Sequence, residues 1–178
     1  QARGHAEHPA LVKAVARAHV AAVTHSTEVI GRTAVAWRTD SARVQDMPLI
    51  DLIQEVQRKA TGAQLSVASA FTLSASIPPG PITVSQIAQL YPYENSLRAV
   101  KLTGAQVKAF LEQSAKFWVV ESDGRGGVRA RPDPRIPGYN FDILAGAEYT
   151  MDLSRPMGSR IVGLTYNGKP MVPTDSFT

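Results

Sequence analysis

The segment Tyr91-Pro92-Tyr93-Glu94-Asn95-Ser96 puts aromatic rings and an amide on a turn that a proline stiffens. Such a turn, between a helix and a strand, can present a flat ring to a flat ligand. A base stacked on a tyrosine gains roughly 1–3 kcal/mol whatever hydrogen-bonding edge it offers. On spacing alone the plainer reading is a loop whose tyrosines close over the core. Both readings stand on these residues.

Other chemistry is narrower. All four histidines (His5, His8, His19, His25) fall in the first 25 residues. A dinuclear phosphatase centre needs several histidines and carboxylates converging from strand ends, and none is left to supply them beyond His25. His19 and His25, six apart, do not share a helix face. The chain has no cysteine, which excludes disulfides, thiolate nucleophiles and thiolate-held metals. HExxH, GxSxG, SxxK, Walker and GxGxxG patterns are absent. Hydrolysis by this segment alone is therefore not expected, and no catalytic or metal-binding residue is assigned.

Two further clusters carry two readings each. Tyr139-Asn140-Phe141-Asp142 could shape a pocket floor, with Asp142 taking a ribose hydroxyl. The plainer reading makes Tyr139 and Phe141 core residues, with Asn140 and Asp142 bonding the backbone of the preceding turn. Arg125, Arg129, Arg131 and Arg135, set among glycines and prolines, could contact RNA but read better as an exposed loop.

Composition sets the frame. A chain of 178 residues, 44% hydrophobic and 19% charged, is long enough to bury a core as one globular domain. A net charge of +4 favours acidic ligands without requiring nucleic acid. No apolar run reaches the roughly 18 residues of a membrane span. The opening Gln1-Ala2-Arg3 shows neither a signal peptide nor a starting methionine, so the chain reads as processed or excised.

Patterning predicts the elements that hold these residues. A helix from Pro9 to about Thr24 carries a stripe of Val12, Val15, Ala16, His19, Ala22 and Val23, within which His19 reads as a packed residue. A strand follows from Glu28 to Trp37, then a polar loop, then a helix from Pro48 to about Ala60 stopped by Thr61-Gly62. Gln64–Ala70 reads as a strand and the proline-rich Phe71–Pro81 as a loop. Thr83-x-x-Gln86 and Thr103-x-x-Gln106 have capping-box spacing and start helices to about Leu90 and Phe117, the second burying Val107, Phe110, Leu111 and Ser114. A strand is expected at Ser96–Leu102, a patternless stretch at Val119–Pro137, and strands at Tyr139–Ile143, Glu148–Leu153 and Arg160–Tyr166. Asn167-Gly168 signals a type I′ hairpin into Lys169–Val172, and a last strand begins at Asp175. The fold class is α+β, a mixed and largely antiparallel sheet packed with at least three helices. A strand cut at Thr178 would leave a sheet edge unpaired and open to association.

Several long words occur in order: PLIDLIQEVQR, IPPGPITVSQIAQLYPYENSL, VKLTGAQVKAFLE and PGYNFDILAGAEYTMDLSRPMGSRI. Through them the chain, from about His8 onward, resembles the C-terminal, nucleotide-binding domain of the bacterial 5′-nucleotidase / 2′,3′-cyclic-nucleotide 2′-phosphodiesterase–3′-nucleotidase family. The resemblance implies residues 1–26 as an interdomain linker helix and 27–178 as a substrate-binding domain, incomplete at its C-terminus. It also implies an absent N-terminal metallophosphatase partner domain holding two divalent metal ions, with no cofactor in this chain. The whole would be exported, periplasmic or attached to the cell wall. The substrate would be a nucleotide or nucleoside, with neither membrane nor nucleic acid as partner. On the family pattern Tyr93 is the stacking aromatic and Asn95 the amide offered to the base edge, while a second stacking aromatic lies downstream of Thr178. Where 5′-nucleotidases carry a GGxIR-like arginine this chain has Ser74, which favours the cyclic-phosphodiesterase branch and makes Phe71 and Ser74 pocket-lining candidates. The rival reading is a stand-alone, non-catalytic binding domain of the same fold.

Overall fold

Prolines open two of the helices and Thr-x-x-Gln boxes open the other two, as the spacing predicts. The computed structural model describes residue 4 and residues 6–91, 93 and 95–178. Its helices are α1 (Pro9–Ser26), α2 (Pro48–Thr61), α3 (Val84–Leu90) and α4 (Gly104–Ser114). Thr83 N donates to Gln86 Oε1 at 2.7 Å and Thr103 N to Gln106 Oε1 at 2.8 Å, so each box satisfies a backbone donor at a helix start. Gly62, in the left-handed region, ends α2.

The strands are β1 (Val29–Thr33), β2 (Trp37–Arg38), β3 (Ser66–Ser69), β4 (Ser76–Ile77), β5 (Gly80–Thr83), β6 (Leu102–Thr103), β7 (Trp118–Ser122), β8 (Val128–Pro132), β9 (Asp142–Ala145), β10 (Glu148–Met151), β11 (Ile161–Tyr166), β12 (Lys169–Pro170) and β13 (Ser176–Phe177). The ladders β1–β5, β3–β9, β6–β13, β7–β8 and β10–β11–β12 are all antiparallel. The class is α+β, with four helices among the described residues. The chain divides into two compact units, Gln1–Ala36 with Ser76–Pro92 and Trp37–Ala75 with Tyr93–Thr178.

In the smaller unit, β1 pairs β5 from Val29↔Thr83 to Thr33↔Gly80. The stretch expected as pure loop therefore contains β4 and β5. A two-stranded ladder is all edge, and an edge admits a proline such as Pro81, opposite Arg32. Helix α1 has the expected bounds but not the expected packing: no residue in it is buried, and His19 is exposed. The expected stripe of Val12, Val15, Ala16, His19, Ala22 and Val23 does share one face, but that face is exposed.

In the larger unit the core gathers Leu65, Val107, Leu111, Leu144, Ile161 and Phe177, with Tyr149, Tyr166 and Met171 packed against it. Fully burying a side chain such as Leu111 gives roughly 1.5–3 kcal/mol. Phe110, expected in the buried stripe of α4, is 37% exposed instead. Phe117, Trp118 and Phe141 form a second cluster with ring centroids 5.1–6.0 Å apart. The stretch expected to lack pattern is a hairpin, β7 with β8, whose register runs from Trp118↔Pro132 to Ser122↔Val128. Asp123 Oδ1 accepts from the backbone N–H of Arg125 and Gly127, which folds its tip. Conversely, Ser96–Lys101 forms no strand; only Leu102 and Thr103 pair, with Phe177 and Ser176. The Asn167-Gly168 turn has both φ values positive, 51° and 74°, as a type I′ turn needs.

Two buried charged side chains lock α4 to β11. Glu112, 8% exposed, accepts from Arg160 N at 3.0 Å and Ile161 N at 2.8 Å. Arg160, 6% exposed, donates to Ala115 O and Trp118 O at 2.9 and 2.8 Å, covering carbonyls just past the helix end. In Glu112→Gln an amide NH₂ must face one of the two backbone N–H groups. Denaturant unfolding of that variant should show a loss of about 1–3 kcal/mol with an unchanged denaturant slope.

Candidate functional site

The loop after β3 carries Phe71 and Ser74, and polar side chains from residues 39–43 hold its backbone. Arg43 Nη2 donates to Ala70 O at 2.9 Å, Thr39 Oγ1 to Thr72 O at 2.7 Å, and Thr39 N to Ala75 O at 3.2 Å. Within the loop Thr72 Oγ1 and Ser74 Oγ lie 2.8 Å apart, and Ser74 N donates to Thr72 Oγ1. Arg43 itself sits 5.4 Å over the Phe117 ring, and burial draws its pKa below the usual arginine value. None of this anchoring was legible from motif spacing. The only signal was a polar run, Thr39-Asp40-Ser41-Ala42-Arg43, with no apolar period of its own.

Held this way, the half-buried Phe71 meets the Tyr93 ring at a centroid distance of 5.3 Å and an interplanar angle of 57°. Tyr93 keeps 57% of its surface exposed. The result is an outward-facing ring braced from behind by a second ring, whose own backbone is bonded on both sides. Pair contacts of this kind contribute about 0.5–1.5 kcal/mol beyond area burial. Asn95 lies exposed two residues beyond Tyr93, and Ser74 is exposed on the braced loop. Pro92 and Glu94 of the same turn lie outside the described residues.

Asp142 stands opposite Ser69 in the β3–β9 ladder, two residues along the chain from Phe71. Its Oδ1 accepts from Ser69 Oγ at 2.7 Å, and its backbone N–H and C=O both bond Ser114 Oγ. Phe141 is buried as the core reading expected, but Tyr139 is 56% exposed and so no core residue. The structure thus brings Phe71 and Tyr93 into contact, sets Ser74 on the same loop, and ties Asp142 to the strand that leads into it.

The arginines of the β7–β8 hairpin are largely neutralised by partners. Glu121 bridges Arg129 and Arg131 across the strands at 2.8 Å each, and Asp133 takes Arg135 at 2.7 Å. Among the described residues no group of three or more His, Asp or Glu could hold a metal ion. No helix of the described residues is long and apolar enough to cross a membrane.

Against this geometry the comparisons are specific. Residues 29–178 match the family model described as 5′-nucleotidase, C-terminal domain, and the chain belongs to that family. It is 29% identical over 210 residues to the 2′,3′-cyclic-nucleotide 2′-phosphodiesterase/3′-nucleotidase of Haemophilus influenzae, covering 99% of this chain and 32% of that protein. It is 27% identical over 194 residues to the trifunctional nucleotide phosphoesterase protein YfkN of Bacillus subtilis, covering 92% of this chain and 13% of that protein. The chain thus spans about a third or less of the length of the curated relatives it matches. The 5′-nucleotidase precursor structure from Thermus thermophilus shares the fold, with a TM-score of 0.69 at 24% identity, covering 97% of this chain and 33% of that one.

The Asp133–Arg135 pair predicts a pH dependence. The Arg135 guanidinium, first through its side-chain hydrogen bonds and then with the Arg135 backbone N–H, pulls Asp133 from 3.8 to about 2. A carboxylate depressed in the folded state contributes stability that is complete above its unfolded pKa and is lost as pH falls through the folded one. Wild type should therefore exceed Asp133→Asn in stability by a constant margin above about pH 5, and the margin should close between about pH 4 and pH 2. Paired denaturant titrations across that range check it.

Proposed function

We propose that this chain is the base-recognition domain of a metal-dependent nucleotide phosphohydrolase of the 2′,3′-cyclic-nucleotide 2′-phosphodiesterase/3′-nucleotidase type. One observation carries the reading: the exposed Tyr93 ring, braced by Phe71 on a loop bonded at Ala70, Thr72 and Ala75. Family membership and the activities for which the relatives are named support it.

In this reading residues 1–26 are the linker helix and 27–178 the recognition domain of a longer, exported protein. Tyr93 stacks on the base, and the Asn95 amide, both donor and acceptor, meets its polar edge. Phe71 fixes the tilt of the Tyr93 ring and adds apolar wall. Ser74 offers a hydroxyl beside it, and Asp142, one oxygen of which is bonded by Ser69, takes a ribose hydroxyl. The net charge of +4 favours approach of an anionic substrate. The described residues do not fit a metal centre. The two divalent ions are assigned to a preceding metallophosphatase domain, and no step in this chain runs through them.

Titration with adenosine, 3′-AMP and 5′-AMP, followed by NMR, should give saturable shifts at Tyr93 and Asn95. In the full enzyme Tyr93→Ala should raise KM about tenfold or more, and Tyr93→Phe should leave it near wild type, since stacking is worth roughly 1–3 kcal/mol and needs only the ring. An unchanged KM in Tyr93→Ala would remove Tyr93 from the site.

A further inference from the structure

Among the described residues Tyr93 and Tyr139 are the two most exposed aromatic side chains, at 57% and 56%. They are distant in sequence, yet both are held at the end of β3. Tyr93 meets the ring of Phe71. Two residues before Phe71, Ser69 Oγ donates to Tyr139 O at 2.9 Å. The same hydroxyl stands 2.7 Å from Asp142 Oδ1. Ser69 thus gathers Tyr139 and Asp142 beside the loop that braces Tyr93.

The backbone under Tyr139 is fixed on both sides. Gly138–Asn140 is a single 3₁₀ turn, in which Asn140 N donates to Pro137 O at 2.9 Å and Phe141 N to Gly138 O at 3.1 Å. Gly138 lies so close to the Arg43 guanidinium that a Cβ there would overlap it, and Arg43 also holds Ala70 O. Beyond the turn Phe141 is buried, and both backbone groups of Asp142 bond Ser114 Oγ. The side chain takes no part in this bonding: Tyr139 Oη has no partner among the described residues. An exposed ring on a pinned backbone is also the arrangement at Tyr93. A tyrosine so placed offers apolar area and a polar tip while losing few rotamers on contact.

We propose that Tyr139 is a further substrate contact, on the sugar side of the nucleoside site. This role rests on the reading of Tyr93 as base platform and Asp142 as ribose acceptor. The side of the site follows from Ser69, which Tyr139 shares with Asp142 and not with Tyr93. The Tyr139 ring closes over the ribose, and its hydroxyl donates to a ribose oxygen. Ser69 couples the two contacts. A hydroxyl carries one proton, so Ser69 cannot fully serve Tyr139 O and Asp142 Oδ1 together. A ribose hydroxyl that donates to Asp142 releases the Ser69 proton to Tyr139 O. Binding of the sugar thereby firms the turn that carries the second ring.

The test compares free adenine with adenosine as competitive inhibitors of 3′-AMP hydrolysis by the full enzyme. Tyr139→Ala should raise the inhibition constant of adenosine about fivefold or more and leave that of adenine within about twofold. Tyr139→Phe should show the same contrast at about threefold, since it loses the hydroxyl alone. Tyr93→Ala should weaken both inhibitors. An adenosine constant unchanged in Tyr139→Ala, with both inhibitors weakened in Tyr93→Ala, would overturn the role of Tyr139 and leave the base platform standing. Equal losses for adenine and adenosine in Tyr139→Ala would also overturn it, because the ring would then touch the base. Failure of Tyr93→Ala to weaken either inhibitor would remove the nucleoside site itself, and Tyr139 with it.

Discussion

The larger unit depends on charged side chains that bond backbone rather than one another. Glu112 spends both oxygens on the N–H groups of Arg160 and Ile161, and Arg160 spends its guanidinium on Ala115 O and Trp118 O. Each ion is buried, and burial without such partners would cost several kcal/mol. Together they set the height of α4 against β11, and with it the side from which Val107 and Leu111 enter the core. They also fix the chain at Trp118, where the helix gives way to the hairpin and the Phe117–Trp118–Phe141 rings pack.

The same economy holds the ring platform. A loop with no regular hydrogen bonds of its own is made rigid by Thr39 and Arg43, which reach its carbonyls from more than 25 residues upstream. Arg43 is placed by the ring beneath it, and Phe117 is in turn part of the cluster that Arg160 anchors. A continuous set of contacts therefore runs from the α4–β11 lock to the backbone that aims Phe71. For the stacking proposed above, the exposed ring of Tyr93 needs such support, because a freely rotating aromatic would lose in entropy what it gains by stacking.

Local chemistry was legible wherever it is written in adjacent residues. Pro9, Pro48, Thr83-x-x-Gln86, Thr103-x-x-Gln106, Thr61-Gly62 and Asn167-Gly168 each mark an element boundary found in the structure. What failed was set by partners distant in the chain. Glu121, Arg129 and Arg131 interrupt any apolar alternation, yet they stabilise a hairpin by pairing across it. Ser96–Lys101 alternates well but has no neighbour to pair with among the described residues. Of the candidate site, Tyr93 and Asn95 could be picked out from their turn, whereas Thr39, Arg43 and Ser69 could not. Their work is done on carbonyls and carboxylates dozens of positions away, and polar residues in a loop carry no period that announces it.

Under the proposed function the platform has a consequence for selectivity. Stacking is tolerant of base identity, since every base offers a π face. Discrimination among bases then rests on the Asn95 amide, which can donate and accept and so imposes little of its own. Discrimination by phosphate position has even less to work with on this chain. Ser74 brings a hydroxyl rather than a cation to the braced loop, and Arg129, Arg131 and Arg135 are each taken by a carboxylate. A domain built this way grips the nucleoside and leaves the phosphate to whatever lies across the cleft. That division suits an enzyme whose relatives bear the names of several phosphoester activities, because one nucleoside grip serves esters at different ribose positions when the charge-reading groups sit on another part of the protein.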